Sequence, residues 1–314
     1  MNKTKIGLLL LSACLLALWG CGGKAMITGF DFAGYKSNLD QVSKQHIAVN
    51  NPKDLQNSIV KKVAISEFNL EFLVDLENES LHKQLVDECY NIFVNEVSAA
   101  TGWEFAPKDS VIASPVYQSM NKQDRIEGGG YQKKGGYAYT TDTVIYPPTG
   151  MGILKIEAAK GLKALKGAFK GMGNVNKEAG VLDDVGADAA FKIHVIAFIH
   201  DDKKVKNDIR ACITPGVAGL ASTSKTELHL GVNKGPGGLI GVEGPDGVKY
   251  VYSYKGMTSF TLISDKKNPG RIISSINCKP EKGRGILIKE FMDGYKEAFT
   301  AYSKMVGQQI KLNM

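Results

Sequence analysis

No apolar run in this sequence reaches the roughly 20 residues that a helix needs to cross a bilayer core of about 30 Å. The run Ile6–Leu18 comes nearest and stops short. Cysteine is sparse, five in 314 residues, and no Cys-x-x-Cys pair occurs. That argues against a zinc or dithiol redox site. No His-Glu-x-x-His, Gly-x-Ser-x-Gly or Gly-x4-Gly-Lys-Ser/Thr run is present, so the linear signatures of zinc-protease, serine-hydrolase and phosphate-loop chemistry are missing. The histidines are His46, His82, His194, His200 and His229. His194 and His200 share the parity of one strand but sit about 20 Å apart along it, too far to ligate one metal ion. Asp183-Asp184 and Asp201-Asp202 read as charged ends of elements. Gly235-Pro236-Gly237-Gly238 has no helical pattern after it and reads as a turn. The sequence therefore assigns no catalytic, cofactor-binding or metal-ligating residue, and no enzyme activity is expected.

Charge is mild. The formal net charge is +7, and two of those units are Lys3 and Lys5. The body reads as a mixed, solvated surface, with no demand for nucleic acid. With 43% hydrophobic and 23% charged residues, it has the make-up of an ordinary folded globule.

The N-terminus is more specific. Lys3 and Lys5 precede the apolar stretch, and Leu18-Trp19-Gly20-Cys21 closes it. A charged start, an apolar segment of secretory length and a small residue before a cysteine resemble a bacterial lipoprotein signal. The resemblance implies that residues 1–20 are a signal peptide. It also implies that Cys21 carries the acyl chains (palmitate among them) and becomes the new N-terminus. Gly22 stands where aspartate favours inner-membrane retention, so the resemblance implies the outer membrane, with the body facing the periplasm. Leu11-Ser12-Ala13 before Cys14 is a second such run and competes for processing.

Beyond Cys21 lie Cys89, Cys212 and Cys278. Cys89 falls in a helical apolar stripe and reads as core. Cys212 and Cys278 fall in strand-like runs, and a disulfide between them stays open in an oxidising compartment.

Residues 21–58 read as a lipidated terminus and tether with a short helix near Leu39–His46. Residues 59–314 read as one domain. Val63–Phe72 is expected to be a half-buried strand. Leu81, Leu85, Cys89, Ile92, Phe93, Val97 and Ala100 form the stripe of a long helix ended by Gly102. Trp103-Glu104-Phe105 is a short strand, and Pro107 opens a helix through Tyr117. Residues 121–150 look loop-rich. Residues 151–172, with interleaved lysines and glycines, read as a surface helix, or else an interfacial one against anionic lipid. Val175–Val185 is helix-like and leads through Gly186-Ala187-Asp188 to an apolar strand, Ala190–Ile199. Strands are expected at Ile209–Ile213, Thr226–Val232, Val248–Tyr254, Ser259–Ile263 and Arg271–Cys278, separated by glycine-rich turns. A long final helix carries the stripe Ile288, Phe291, Tyr295, Phe299, Tyr302, Val306 and Ile310.

This order predicts an α+β fold: a mixed, largely antiparallel sheet with helices packed on one face and a long C-terminal helix. The strand Val63–Phe72, the helix through Val97, Gly186-Ala187-Asp188 and the pair Phe260–Ile263 and Arg271–Ser275 resemble the topology of the curli-secretion channel lipoprotein and of the TolB N-terminal domain. Two alternatives follow. The anchor and the missing catalytic signatures point to a non-enzymatic envelope protein that binds a protein partner in assembly or transport. The topological likeness implies the other, an oligomeric outer-membrane export channel, with the alternating Leu228, Leu230 and Val232 or Tyr250, Tyr252 and Tyr254 as candidate barrel strands. An enzyme whose site is assembled from distant residues is a third. Ligand, partner and oligomeric state stay open.

Overall fold

The computed structural model describes residues 32–72, 79–129, 142–154, 177–199, 216–220, 224–236, 242–243, 249–263, 272–276 and 288–314. Cys14, Cys21, Cys212, Cys278, His200, Asp201-Asp202, the Ile209–Ile213 strand and residues 155–172 lie outside them.

The expected α+β architecture is present. The main sheet contains ten strands. Its centre is β2 (Lys62–Phe72) beside β8 (Ala189–Ile199), which run parallel. On the far side of β8 come β10 (Lys225–Leu230), β14 (Gly256–Leu262) and the edge strand β1 (Ile47–Asn50), all antiparallel. On the far side of β2 come β6 (Asp142–Tyr146) and β5 (Ile126–Gly129). Strand β3 (Glu104–Phe105) joins the start of β2, and β9 (Gly216–Leu220) joins the end of β8 and carries β15 (Ile272–Ile276).

Two long helices cover one face. Helix α4 (Glu79–Thr101) and helix α8 (Ile288–Asn313) run parallel, tied by Lys296–Glu88 at 2.8 Å and Lys304–Glu96 at 3.8 Å. The stripe of α4 and, from Tyr295 to Ile310, that of α8 point into the sheet. Phe68 of β2 packs between Tyr90 of α4 and Phe299 of α8, at 5.6 Å and 6.0 Å between ring centroids. Phe93 meets Phe191 of β8 at 5.1 Å. Each such buried aromatic contributes roughly 1.5–3 kcal/mol by leaving water. Cys89 is fully buried in this layer, as its place in the stripe required.

A β-bulge at Ser66 resets the parity of β2. Ile65 pairs Phe191, whereas Glu67 pairs Lys192. From there on, Phe68, Leu70 and Phe72 face the helices, and Glu67, Asn69 and Glu71 face the other way.

Three sequence expectations are corrected. First, the tether assigned to 21–58 is part of the fold from Phe32 on. Helices α1 (Phe32–Ser37), α2 (Leu39–His46) and α3 (Pro52–Gln56) flank β1, and Tyr35, Ser43, Ile47 and Leu55 are buried. The helix Leu39–His46 is the one expected within that stretch; the other elements are too short for periodicity to register, yet β1 completes the sheet by pairing β14. Second, the loop-rich stretch 121–150 contains β5 and β6, as well as β4 (Lys122–Gln123). The run Thr143-Val144-Ile145-Tyr146 is β-branched and aromatic and carried that signal. Third, of the stretch 151–172 read as a helix, the described residues include a strand, β7 (Ile153–Leu154), paired to β4. Smaller shifts occur elsewhere. Strand β10 stops at Leu230 because Gly231 turns the chain at φ +60°.

Candidate functional site

The face of the sheet away from α4 and α8 carries an unusual amount of buried charge. Residues 177–185 form a helix, α7, that lies over it and delivers Glu178. Glu178 is 1% exposed. Its Oε1 accepts a 2.7 Å hydrogen bond from Ser66, and its Oε2 lies 3.0 Å from the Lys192 ammonium. Lys192 also reaches Glu67 Oε2 at 3.2 Å. The other oxygen of Glu67 accepts from the Asn69 amide at 2.7 Å. One ammonium therefore bridges two carboxylates beneath a helix.

The electrostatics follow from burial. Desolvation is the largest influence on Glu178 and, with the like charge of Glu67, raises its pKa against the pull of Lys192. Burial works against the Lys192 ammonium, but the two carboxylates outweigh it and hold the amine protonated. Lys192 is thus a cation and not a nucleophile. Tyr117 packs beside this cluster, its phenol pushed up to about 12 by burial, and accepts a 3.1 Å hydrogen bond from Gly152 N–H.

Two histidine–carboxylate pairs lie further along the same face. His194 Nε2 is 2.9 Å from Glu71, and His229 Nε2 is 3.1 Å from Glu227, which Lys225 also contacts. His229 leans on the Tyr254 ring at 4.6 Å. Among the described residues, neither histidine hydrogen-bonds a serine, threonine or cysteine, so the nucleophile–base pairing of covalent hydrolases is not formed there. No group of three or more His, Cys, Asp or Glu side chains among the described residues is arranged to hold a metal ion.

The other sequence candidates fall into place individually. Asp184 accepts from the Ser114 hydroxyl and from Val116 N–H, closing the start of helix α6 (Pro115–Gln118), and Asp183 pairs with Lys234 at 3.5 Å. Their reading as an element end stands. Leu228 and Leu230 are buried in the sheet interior. Tyr252 lies in β13 (Lys249–Ser253), a strand of a separate three-stranded sheet, and packs on Gly180 of α7. Cys21 lies outside the described residues. No helix among the described residues is long and apolar enough to cross a membrane.

The ionic cluster itself was not read from the sequence. Glu67 and Lys192 look like the solvent side of ordinary strands, and Glu178 lies more than a hundred residues from Ser66. The only local trace is the broken alternation at Ser66-Glu67. No protein-family model, curated protein or solved structure matches the chain at a significant level.

Proposed function

We propose that the chain is a lipid-anchored, non-enzymatic protein of the bacterial outer membrane, facing the periplasm and acting by binding a protein partner in envelope assembly or transport. The observation that carries the anchor is the Leu18-Trp19-Gly20-Cys21 run after Lys3, Lys5 and Ile6–Leu18. The non-enzymatic reading draws support from the chemistry of the buried cluster. Its ammonium is neutralised by two carboxylates and its helix is clamped to the sheet, which is how charge is used to fix packing. The bilayer would hold the body on a short leash. Only ten residues separate Cys21 from Phe32, and that stretch can span at most about 40 Å fully extended.

Two measurements test the reading. Intact mass of the membrane-extracted protein should show cleavage before Cys21 and added acyl chains, and globomycin should block that maturation. An unmodified thiol at Cys21 would remove the anchor. In-membrane crosslinking should then return one reproducible protein partner. Conductance in planar bilayers from an oligomer would instead favour the export channel, and turnover of a substrate would favour an enzyme.

A further inference from the structure

Among the described residues, three of the four large apolar side chains that the fold leaves exposed fall at one end of the molecule. Ile59 is 85% exposed, Met314 57% and Leu312 38%. Their common location follows from the topology. Ile59 precedes β2, whose first residue Lys62 pairs with Glu104 just past α4. Helix α8 ends beside the end of α4, since a Cβ on Gly307 would lie 2.8 Å from that of Ala100. Helix α3, which leads to Ile59, packs against α8. Leu312 and Met314 extend beyond that contact.

The surroundings carry lysines free of ion pairs. Lys53, Lys61, Lys255 and Lys311 are exposed around this end, and none of the four is in an ion pair with a described residue. Lys255 belongs there because its N–H donates to Leu230 O, at the turn where Gly231 N–H donates to Asp188 O. Of the acidic neighbours, Asp54 directs its carboxylate to Met257 N–H and Asp188 to the N–H groups of Lys61 and Lys62. Asp40, bonded to Gln308, and Glu104 complete the set, and all four carboxylates are exposed.

The first described helix, α1, separated from Cys21 by ten residues in the sequence, lies at this end too. The Gln308 amide donates to Asp40 at 2.5 Å, which sets the junction of α1 and α2 one helical turn from Leu312. Tyr35 of α1 is buried within the field of Glu96, which lies on the last two turns of α4.

We propose that this end, with Ile59, Leu312 and Met314 at its centre, rests on the anionic headgroups of the bilayer that holds the acyl chains. The apolar side chains enter the interface while the lysine ammonium groups meet lipid phosphates. The inference rests on the anchored reading above and adds an orientation to it: the edge of the sheet at Lys62 and Ala189 points at the membrane, and the Leu262 edge points away.

The test uses full-length acylated protein in vesicles of phosphatidylethanolamine and phosphatidylglycerol made with brominated acyl chains. An indole is introduced at each end in turn, by Ile59→Trp and by Ile263→Trp. Ile263 is 39% exposed and follows β14 at its far end, about 20 Å from Gly256. Ile59→Trp should lose at least half of its added emission to bromine quenching, and Ile263→Trp should lose none. Lys61→Glu with Lys311→Glu in the Ile59→Trp background should reduce that quenching at least twofold. Equal quenching of the two indoles, or none for either, in protein whose acylation is confirmed by mass overturns the orientation. A mass without acyl chains overturns the anchor instead. In that case, binding of the unacylated chain to phosphatidylglycerol but not phosphatidylcholine vesicles still supports the surface, and failure to bind either overturns it.

Discussion

The hydroxyl of Ser66 donates a 2.7 Å hydrogen bond to Glu178, joining two residues 112 apart in sequence. With the Lys192–Glu178 ion pair it fastens α7 to the centre of the sheet, and it sits at the bulge that turns Glu67 and Asn69 toward the same cluster. A buried ion group of this kind contributes little net stability as a unit. Removing one member is costly, because the remaining charges stay buried without compensation.

Lys192→Met should therefore destabilise the protein by about 3–5 kcal/mol, since it strands two carboxylates. Glu178→Gln should cost only about 1 kcal/mol, because burial works against the Glu178 charge, the amide keeps a group to meet Ser66, and Lys192 keeps Glu67 as its counter-charge. Urea midpoints for the two variants would check this. Equal losses would mean that Lys192 is not the charge that holds the cluster together.

A pH dependence follows from Glu227. The hydrogen bond with His229, aided by Lys225, holds its pKa down to about 2, against 4.5 for an unperturbed glutamate. A carboxylate whose pKa is lower in the folded state binds fewer protons there than in the unfolded chain. Its stabilisation is present above about pH 5 and is lost as pH falls toward 2. The side chain is 22% exposed, so solvent screens part of the effect and about 2 kcal/mol is expected. Glu227→Gln should flatten the fall in stability between pH 5 and 2 by that amount. A variant whose acid unfolding curve keeps the wild-type slope would count against the pairing.

Much of this fold was legible because two of its elements are long. The stripes ending at Ala100 and Ile310 repeat over many turns, and both helices lie where those stripes required. The elements that were missed are short or locally neutral. Ile47-Ala48-Val49-Asn50 has the alternation of a strand but only four residues, and its pairing with β14 closes a gap of about two hundred positions. Gly216–Leu220 is glycine-rich and becomes a strand by lying between β8 and β15. The ionic cluster was hidden for a different reason. Glu67 and Asn69 occupy positions that a half-buried strand presents to water, and only the arrival of Glu178 from α7 buries them. Nothing in the residues next to Glu67 encodes that arrival.

The corrected N-terminal boundary has its own consequence. Leu55, in the stretch first read as tether, is 1% exposed within the main core. Leu55→Ala should cost about 2–5 kcal/mol, the range for a leucine whose cavity cannot collapse. Gln56→Ala, one residue on and exposed, should stay within about 0.5 kcal/mol of the parent. A neutral Leu55→Ala would return α3 to the tether.

The parallel packing of α4 and α8 is tightest at Gly307, where an added Cβ would sit 2.8 Å from Ala100 Cβ and 3.4 Å from Val97 Cα. Two effects compete in Gly307→Ala. The better helix propensity of alanine favours the variant by about 1 kcal/mol. Overpacking opposes it by about 1–3 kcal/mol. Overpacking should win, because both neighbours are fixed to backbone and no flexible side chain can swing aside. Gly307→Ala is thus expected to lower stability by about 1 kcal/mol net. Ala100→Gly should lose a similar amount through propensity alone. The double variant moves the methyl group from one helix to the other and restores the gap, so it should be more stable than the sum of the single losses by about 1–2 kcal/mol. Thermal unfolding of all four proteins measures that coupling directly, and strict additivity would mean that the two helices do not touch at this level.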